Sequence, residues 1–110
     1  MKAILVFLDG TVCDMRHRIP LKGKDDFFSE GNILKDIPTK GSIELMNELV
    51  KNFYLVYIGA RPEEYVQVTR KWLKNVGFPE GDVYLGKNQK ERMKIVIDLK
   101  QKNGIFCRYR

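Results

Sequence analysis

The residues of this chain best able to do chemistry stand directly after its apolar runs. Asp9-Gly10-Thr11 follows Ala3 to Leu8, and Gly59-Ala60-Arg61-Pro62 follows Phe53 to Ile58. Gly86-Lys87 follows Asp82 to Leu85, and Arg108 and Tyr109 lie in the terminal run Ile105 to Tyr109. Loop N–H groups with a guanidinium and a lysine suit an oxyanion, and a carboxylate among them can move a proton. If the runs are parallel strands, all of these residues gather at one end of a sheet, where α/β proteins bind ligands.

The elements that must position them are short. Ala3 to Leu8 is apolar throughout, as a strand covered on both faces would be. A helix is expected from a Ser42 cap to about Lys51, with Ile43, Met46 and Val50 on its inner stripe. Phe53 to Ile58 is the second strand. Pro62 opens a helix whose stripe is Tyr65, Thr69, Trp72, Leu73 and Val76, and Gly77 stops it. Asp82 to Leu85 is a third strand, and a helix from about Gln89 to Lys102 should bury Met93, Val96 and Ile97. The tail is a fourth strand. This alternation predicts an α/β three-layer sandwich, with a small parallel sheet of about four strands and helices on both faces. Residues 11–40, rich in Gly, Pro and charge, read as a loop or flap inserted after the first strand. It is either a binding segment or a surface excursion pinned by Phe27 and Phe28.

With 110 residues, 44% of them hydrophobic and 31% charged, the chain can build one modest core, so 1–110 is expected to be a single domain. No apolar run approaches the roughly 18 residues that cross a bilayer. Cys13 and Cys107 lie near opposite ends with no CxxC between them, which favours two free thiols over a zinc site. The expectation is a cytoplasmic protein with no membrane partner. The formal charge of +6 suits a phosphate-bearing partner, a polynucleotide included, but the lysines are dispersed, which favours a solvated surface. An exposed sheet edge would also allow pairing with a second copy, as a homodimer or interaction module.

The segment ILVFLDGTVCDMRHR resembles the first motif of the haloacid-dehalogenase (HAD) superfamily, an apolar strand followed by D-x-D-G-T. YLVYIGARPEEYVQVTRKWLKNVG resembles the second, a strand ending in Thr-Gly-Arg or Thr-Ala-Arg-Pro before a helix. FFSEGNILKDIPTKGSIELMNEL between them is similar to the linker of small phosphatases such as the phosphatase domain of polynucleotide kinase. The resemblance covers nearly the whole chain and implies a HAD-like fold without a large cap domain. It implies an aspartate nucleophile, an acid/base aspartate two residues later, a Thr or Ser and a Lys on the phosphoryl oxygens, and Mg²⁺ held by carboxylates.

Against that pattern the chain departs at most positions. Phe7 stands at the nucleophile position. Asp9 matches the acid/base position, with Gly10 and Thr11 behind it, and is the doubtful remaining metal ligand. Gly59 replaces the Thr or Ser, while Arg61 and Pro62 match. The third-motif lysine is Lys94 or Lys87, with Lys94 the better fit. Either Arg108 and Tyr109 take the places of the fourth-motif acids or that motif is absent from these residues. The resemblance therefore points to a degenerate phosphatase domain, with Mg²⁺ in doubt and a residual phosphate site at Gly10, Thr11, Gly59, Arg61 and Lys94. A contrary expectation is an active Mg-dependent phosphohydrolase of nucleotide or polynucleotide phosphates, in which Asp14, Asp25 or Asp26 approaches the site or Asp9 itself attacks. His17, on the loop between Arg16 and Arg18, is expected to be solvated rather than catalytic, although the resembled branch often places a His-Arg pair after the first motif.

Overall fold

The structure, a computed structural model, describes the backbone of residues 2–103 and 106–109; the side chains of residue 25 and of residues 102–110 lie outside the described set. Four parallel strands form the sheet: β1 (Ala3–Phe7), β4 (Tyr54–Gly59), β5 (Asp82–Leu85) and β6 (Phe106–Tyr109), in the order β5-β4-β1-β6. β1 is central, pairing Leu5 with Val56 on one side and with Arg108 on the other. Its side chains alternate between faces, as the period of two requires. Ile4, Val6 and Leu8 join the core beneath the first three helices, and Ala3 and Leu5 join a second core beneath the last. The apolar run is a strand covered on both faces.

Helices α1 (Glu30–Leu34), α2 (Ser42–Leu49) and α3 (Val66–Val76) contribute Ile33, Met46, Trp72 and Leu73 to the larger core. Gly77 ends α3 in the left-handed region at φ +102°, a conformation glycine adopts without strain. Ser42 does not cap α2. It is the first residue of that helix, and its hydroxyl donates to the Thr39 carbonyl at 2.7 Å, while Gly41 holds the cap position at φ +80°. Pro62 precedes a short 3-10 turn, Glu63–Tyr65, rather than opening α3 directly.

The last helix, α4 (Gln89–Asn103), lies on the opposite face through Leu99, Ile95 and Val96. Met93 and Ile97, expected inside, are each 51% exposed. Two stripes on this helix satisfy helical spacing, and the sheet takes the one containing Leu99. Residues 11–40 hold a two-residue strand, β2 (Cys13–Asp14), paired antiparallel with β3 (Ile37–Pro38). Phe27 is buried in this segment, and Phe28 stacks on Tyr65 with ring centroids 5.1 Å apart. Among the described residues, no helix is long and apolar enough to cross a membrane.

Candidate functional site

The carboxyl ends of β1 and β4 bring Asp9 and Arg61 together, as adjacent parallel strands must. After β1 the chain turns at once: Leu8 O accepts from the N–H groups of Thr11, Val12 and Cys13 at 3.1, 3.1 and 2.9 Å. Gly10, at φ +83°, donates its N–H to Cys13 O at 3.0 Å. The N–H groups of Gly10 and Thr11, expected to face an anion, are thus spent inside the loop.

Asp9 is held on both oxygens. Oδ2 accepts from Ala60 N at 2.8 Å, and Oδ1 accepts from Arg61 Nε and Nη2 at 3.1 and 2.9 Å. Gly59 lies close to this carboxylate. A Cβ there would stand 2.8 Å from Leu85 Cδ2 and 3.3 Å from Asp9 Oδ2, so a larger residue would require both side chains to shift.

Arg61 points inward, its side chain 1% exposed. Nη1 donates to Thr69 Oγ1 at 2.9 Å, and Nη2 reaches Cys13 Sγ and Asp36 Oδ2, each at 3.4 Å, besides Asp9. Every guanidinium nitrogen is engaged, so the side chain expected to meet phosphate serves as a strut between strands. Burial works against the charge of Arg61, but Asp9, Cys13 and Asp36 around it outweigh that effect and hold it more firmly protonated than usual.

Beneath this pair lies a residue that sequence reasoning missed. Asp36, at the end of the segment following α1, is fully buried as a side chain. Arg18 grips it with two parallel bonds, Nε to Oδ1 and Nη2 to Oδ2, both 2.8 Å. This is the bidentate geometry in which guanidinium–carboxylate pairs are strongest. His17 Nε2 lies 2.6 Å from Oδ1, Cys13 Sγ donates to Oδ2 at 3.1 Å, and Trp72 Nε1 donates to the Asp36 carbonyl at 2.8 Å. Burial pushes the Asp36 carboxyl up, but the bonds from Arg18, Cys13 and His17 hold it below the ordinary carboxylate range. Burial likewise pushes the Cys13 thiol up, leaving it an inert thiol rather than a nucleophile. Arg18 also donates to Phe27 O at 3.0 Å and sits over the Phe27 ring, 4.9 Å from its centroid. His17, expected to be solvated, is exposed as expected, but its Nε2 reaches the buried hub. Nothing in the local spacing announces Asp36, whose partners come from four separate segments.

The other expected residues are dispersed. Lys94 and Lys87 are exposed, and neither reaches Asp9 or Arg61. Asp14 binds its neighbour Arg16 with bonds of 2.7 to 3.0 Å rather than turning to the site, and Asp26 is exposed. The side chains of Asp25, Cys107, Arg108 and Tyr109 lie outside the described residues. A groove of about 280 Å³ opens between α3 and β5, but neither Asp9, Arg61 nor Asp36 lines it.

The HAD pattern implies Mg²⁺, so the donor set can be tested against that ion. Mg²⁺ demands near-octahedral oxygen ligands, usually including carboxylates. The Phe7 side chain supplies no oxygen, the Asp9 carboxylate is paired with Arg61, and the Asp36 oxygens accept from Arg18, His17, Cys13 and Arg61. Among the described residues no three His, Cys, Asp or Glu side chains cluster to hold an ion. The described residues do not assemble a site that fits the metal.

Comparison with known proteins gives the frame for this geometry. The fold superposes on the class C acid phosphatase of Bacillus anthracis, solved with tungstate bound, with a TM-score of 0.75 and 26% identity over 96% of this chain and 50% of that one. A Bacillus cereus protein named "Putative nucleotidase" is 33% identical over 66 residues, 57% of this chain and 35% of its own length. No family model matches the chain. The chain thus spans half of the acid phosphatase and about a third of the nucleotidase. The fold is HAD-like, an α/β sandwich with no large cap, and the likeness is to HAD-like phosphatases.

Proposed function

We propose that this chain is a HAD-like phosphatase-type domain in which covalent phosphoryl transfer has been lost and the catalytic corner has become a structural joint. The observation that carries this reading is the corner itself. Phe7 stands where the attacking carboxylate belongs and has no lone pair to offer phosphorus, while both oxygens of Asp9 accept bonds from Ala60 and Arg61. Losing a covalent nucleophile costs several orders of magnitude in rate, about 10⁶ in the case of subtilisin's serine. The Gly10 and Thr11 N–H groups and the Arg61 guanidinium bond within the chain, which favours a structural role for them over the residual phosphate site expected at Gly10, Thr11, Gly59, Arg61 and Lys94. The narrower kinship with polynucleotide-kinase phosphatases rests on sequence segments alone.

The second reading, an active phosphohydrolase, is favoured by the names of both similar proteins, an acid phosphatase and a nucleotidase. Hydrolysis of p-nitrophenyl phosphate with Mg²⁺ separates the two. The native chain, Asp9→Asn and Phe7→Asp should all match buffer. Phe7→Asp stays silent because Gly59 still stands at the Thr or Ser position. Native turnover that Asp9→Asn abolishes would establish the enzyme and end the proposal.

A further inference from the structure

We propose that the groove between α3 and β5 is a binding site for a small organic carboxylate, with a flat apolar body of one or two rings and a single negative charge. The site is separate from the corner formed by Asp9 and Arg61, and it stands whether or not phosphoryl transfer is lost. Its floor is apolar, made by Leu73, Phe78 and Val83 with Tyr57, none of them more than 6% exposed. Tyr57 and Phe78 meet edge to face with centroids 6.3 Å apart, and such a lining favours a ligand that presents a ring of its own. One wall is α3, where Arg70 and Lys74, both exposed, stand one turn apart on the same side. Among the described residues neither side chain has an ion-pair or hydrogen-bond partner, whereas Lys71 between them pairs with Glu30 at 3.6 Å.

The opposite wall is the loop through Pro79, Glu80 and Gly81. Tyr57 Oη fastens it by donating to Pro79 O at 2.7 Å, and Phe78 N donates to Leu73 O at 2.9 Å. A Cβ at Gly81 would stand 2.5 Å from Leu55 O, so the loop lies this close to β4 only because glycine is there. The α3 wall is fixed as well, through Thr69 bonded to Arg61 and Trp72 bonded to Asp36 O. Both walls are therefore set before a ligand arrives, which lowers the ordering cost of binding. Charge and size then select the ligand. Two cations and the single carboxylate of Glu80 leave the lining one positive charge in excess, and burial pushes the Tyr57 phenol up, so it stays neutral. A guanidinium takes a carboxylate through two parallel bonds. The groove holds about 280 Å³, against about 150 Å³ for an apolar cavity that takes benzene, so a fused pair of rings fits.

The test titrates 2-naphthoate into the native chain while backbone amide signals are followed by NMR. Saturable shifts are expected at Arg70, Lys74, Gly81 and Val83, and none at Asp9, Ala60 or Arg61. Naphthalene-2-methanol keeps the rings without the charge and should bind more weakly. So should 2-naphthyl phosphate, whose second charge has no counterpart in the lining. Arg70→Gln combined with Lys74→Gln should weaken 2-naphthoate about fivefold, the worth of two exposed ion pairs. Lys90→Gln combined with Lys100→Gln removes the same charge from two exposed lysines of α4 and should leave the affinity unchanged. Absence of saturable shifts at the groove would overturn the proposal. Equal affinity for the neutral alcohol, tighter binding of the phosphate, or equal losses in the two double variants would overturn it as well. If the α3 double variant does not fold, the three-ligand series on the native chain decides alone.

Discussion

On one face of the sheet, α3, the β1 turn and the segment before β3 are tied through Asp9, Asp36, Arg18, Arg61 and Trp72 by directed bonds, most of them from buried donors. On the other face α4 rests on Ala3, Leu5, Val56 and Ile58 chiefly through Leu99, Ile95 and Val96. The first arrangement admits one geometry, because each misplaced group leaves a buried charge without its partner. The second tolerates variation, since apolar contact is non-directional and depends on the area covered. The corner that resembles a catalytic site is thus held by directed bonds where the opposite face is held by apolar contact.

Removing the hub should produce the largest effect. Asp36→Ala strands the buried Arg18 guanidinium, which has no other carboxylate partner among the described residues, and breaking a buried pair in this way costs about 3–5 kcal/mol. Domains of this size are stable by only about 5–15 kcal/mol, so circular dichroism should show a steep fall in melting temperature or a chain unfolded at room temperature. An unchanged melting curve would mean the hub is ornamental. On the α4 face, Leu99→Ala should cost about 2–5 kcal/mol as a cavity-forming change, measured by urea denaturation. Trp72→Phe keeps the ring but loses the bond to Asp36 O, an expected loss of about 1–3 kcal/mol from the orphaned carbonyl.

Acid should distinguish the two faces further. The Asp36 carboxyl is held below its ordinary value in the folded chain, so it binds a proton more readily when unfolded. Its contribution is complete above the ordinary carboxylate range and drains away as pH falls through the lowered native value. Melting temperature should therefore decline on acidification below about pH 5, and a flat profile into that range would contradict the role of Asp36. The smallest effect belongs to Ile97→Ala, which should stay within about 0.5 kcal/mol. A loss equal to that of Leu99→Ala would show that α4 is rotated from the orientation described.

Much of the fold was legible because period and punctuation state it directly. The unbroken apolar run of β1 meant cover on both faces, and Gly77 marked the end of α3. The inner stripe of α4 was ambiguous for a physical reason. Met93-Val96-Ile97 and Ile95-Val96-Leu99 fit the helical repeat equally well, and only the sheet decides between them. Ser42 was placed as a cap from its type, but its hydroxyl found a nearer acceptor in Thr39. At the site, the meeting of Asp9 with Arg61 followed from adjacent parallel strands. The direction of Arg61 did not, because it depends on Asp36, Thr69 and Cys13, which are remote in sequence. His17 and Arg18 looked like loop residues for the same reason: a buried carboxylate partner leaves no periodic trace.

The central claim is that the donors of this corner are satisfied from within. Its most direct test is a titration of the native chain with tungstate, the tetrahedral oxyanion present in the acid phosphatase structure, followed by amide NMR. The account predicts no saturable shift at Asp9, Gly10, Thr11, Ala60 or Arg61. A saturable shift confined to those amides would show a working oxyanion site and contradict it.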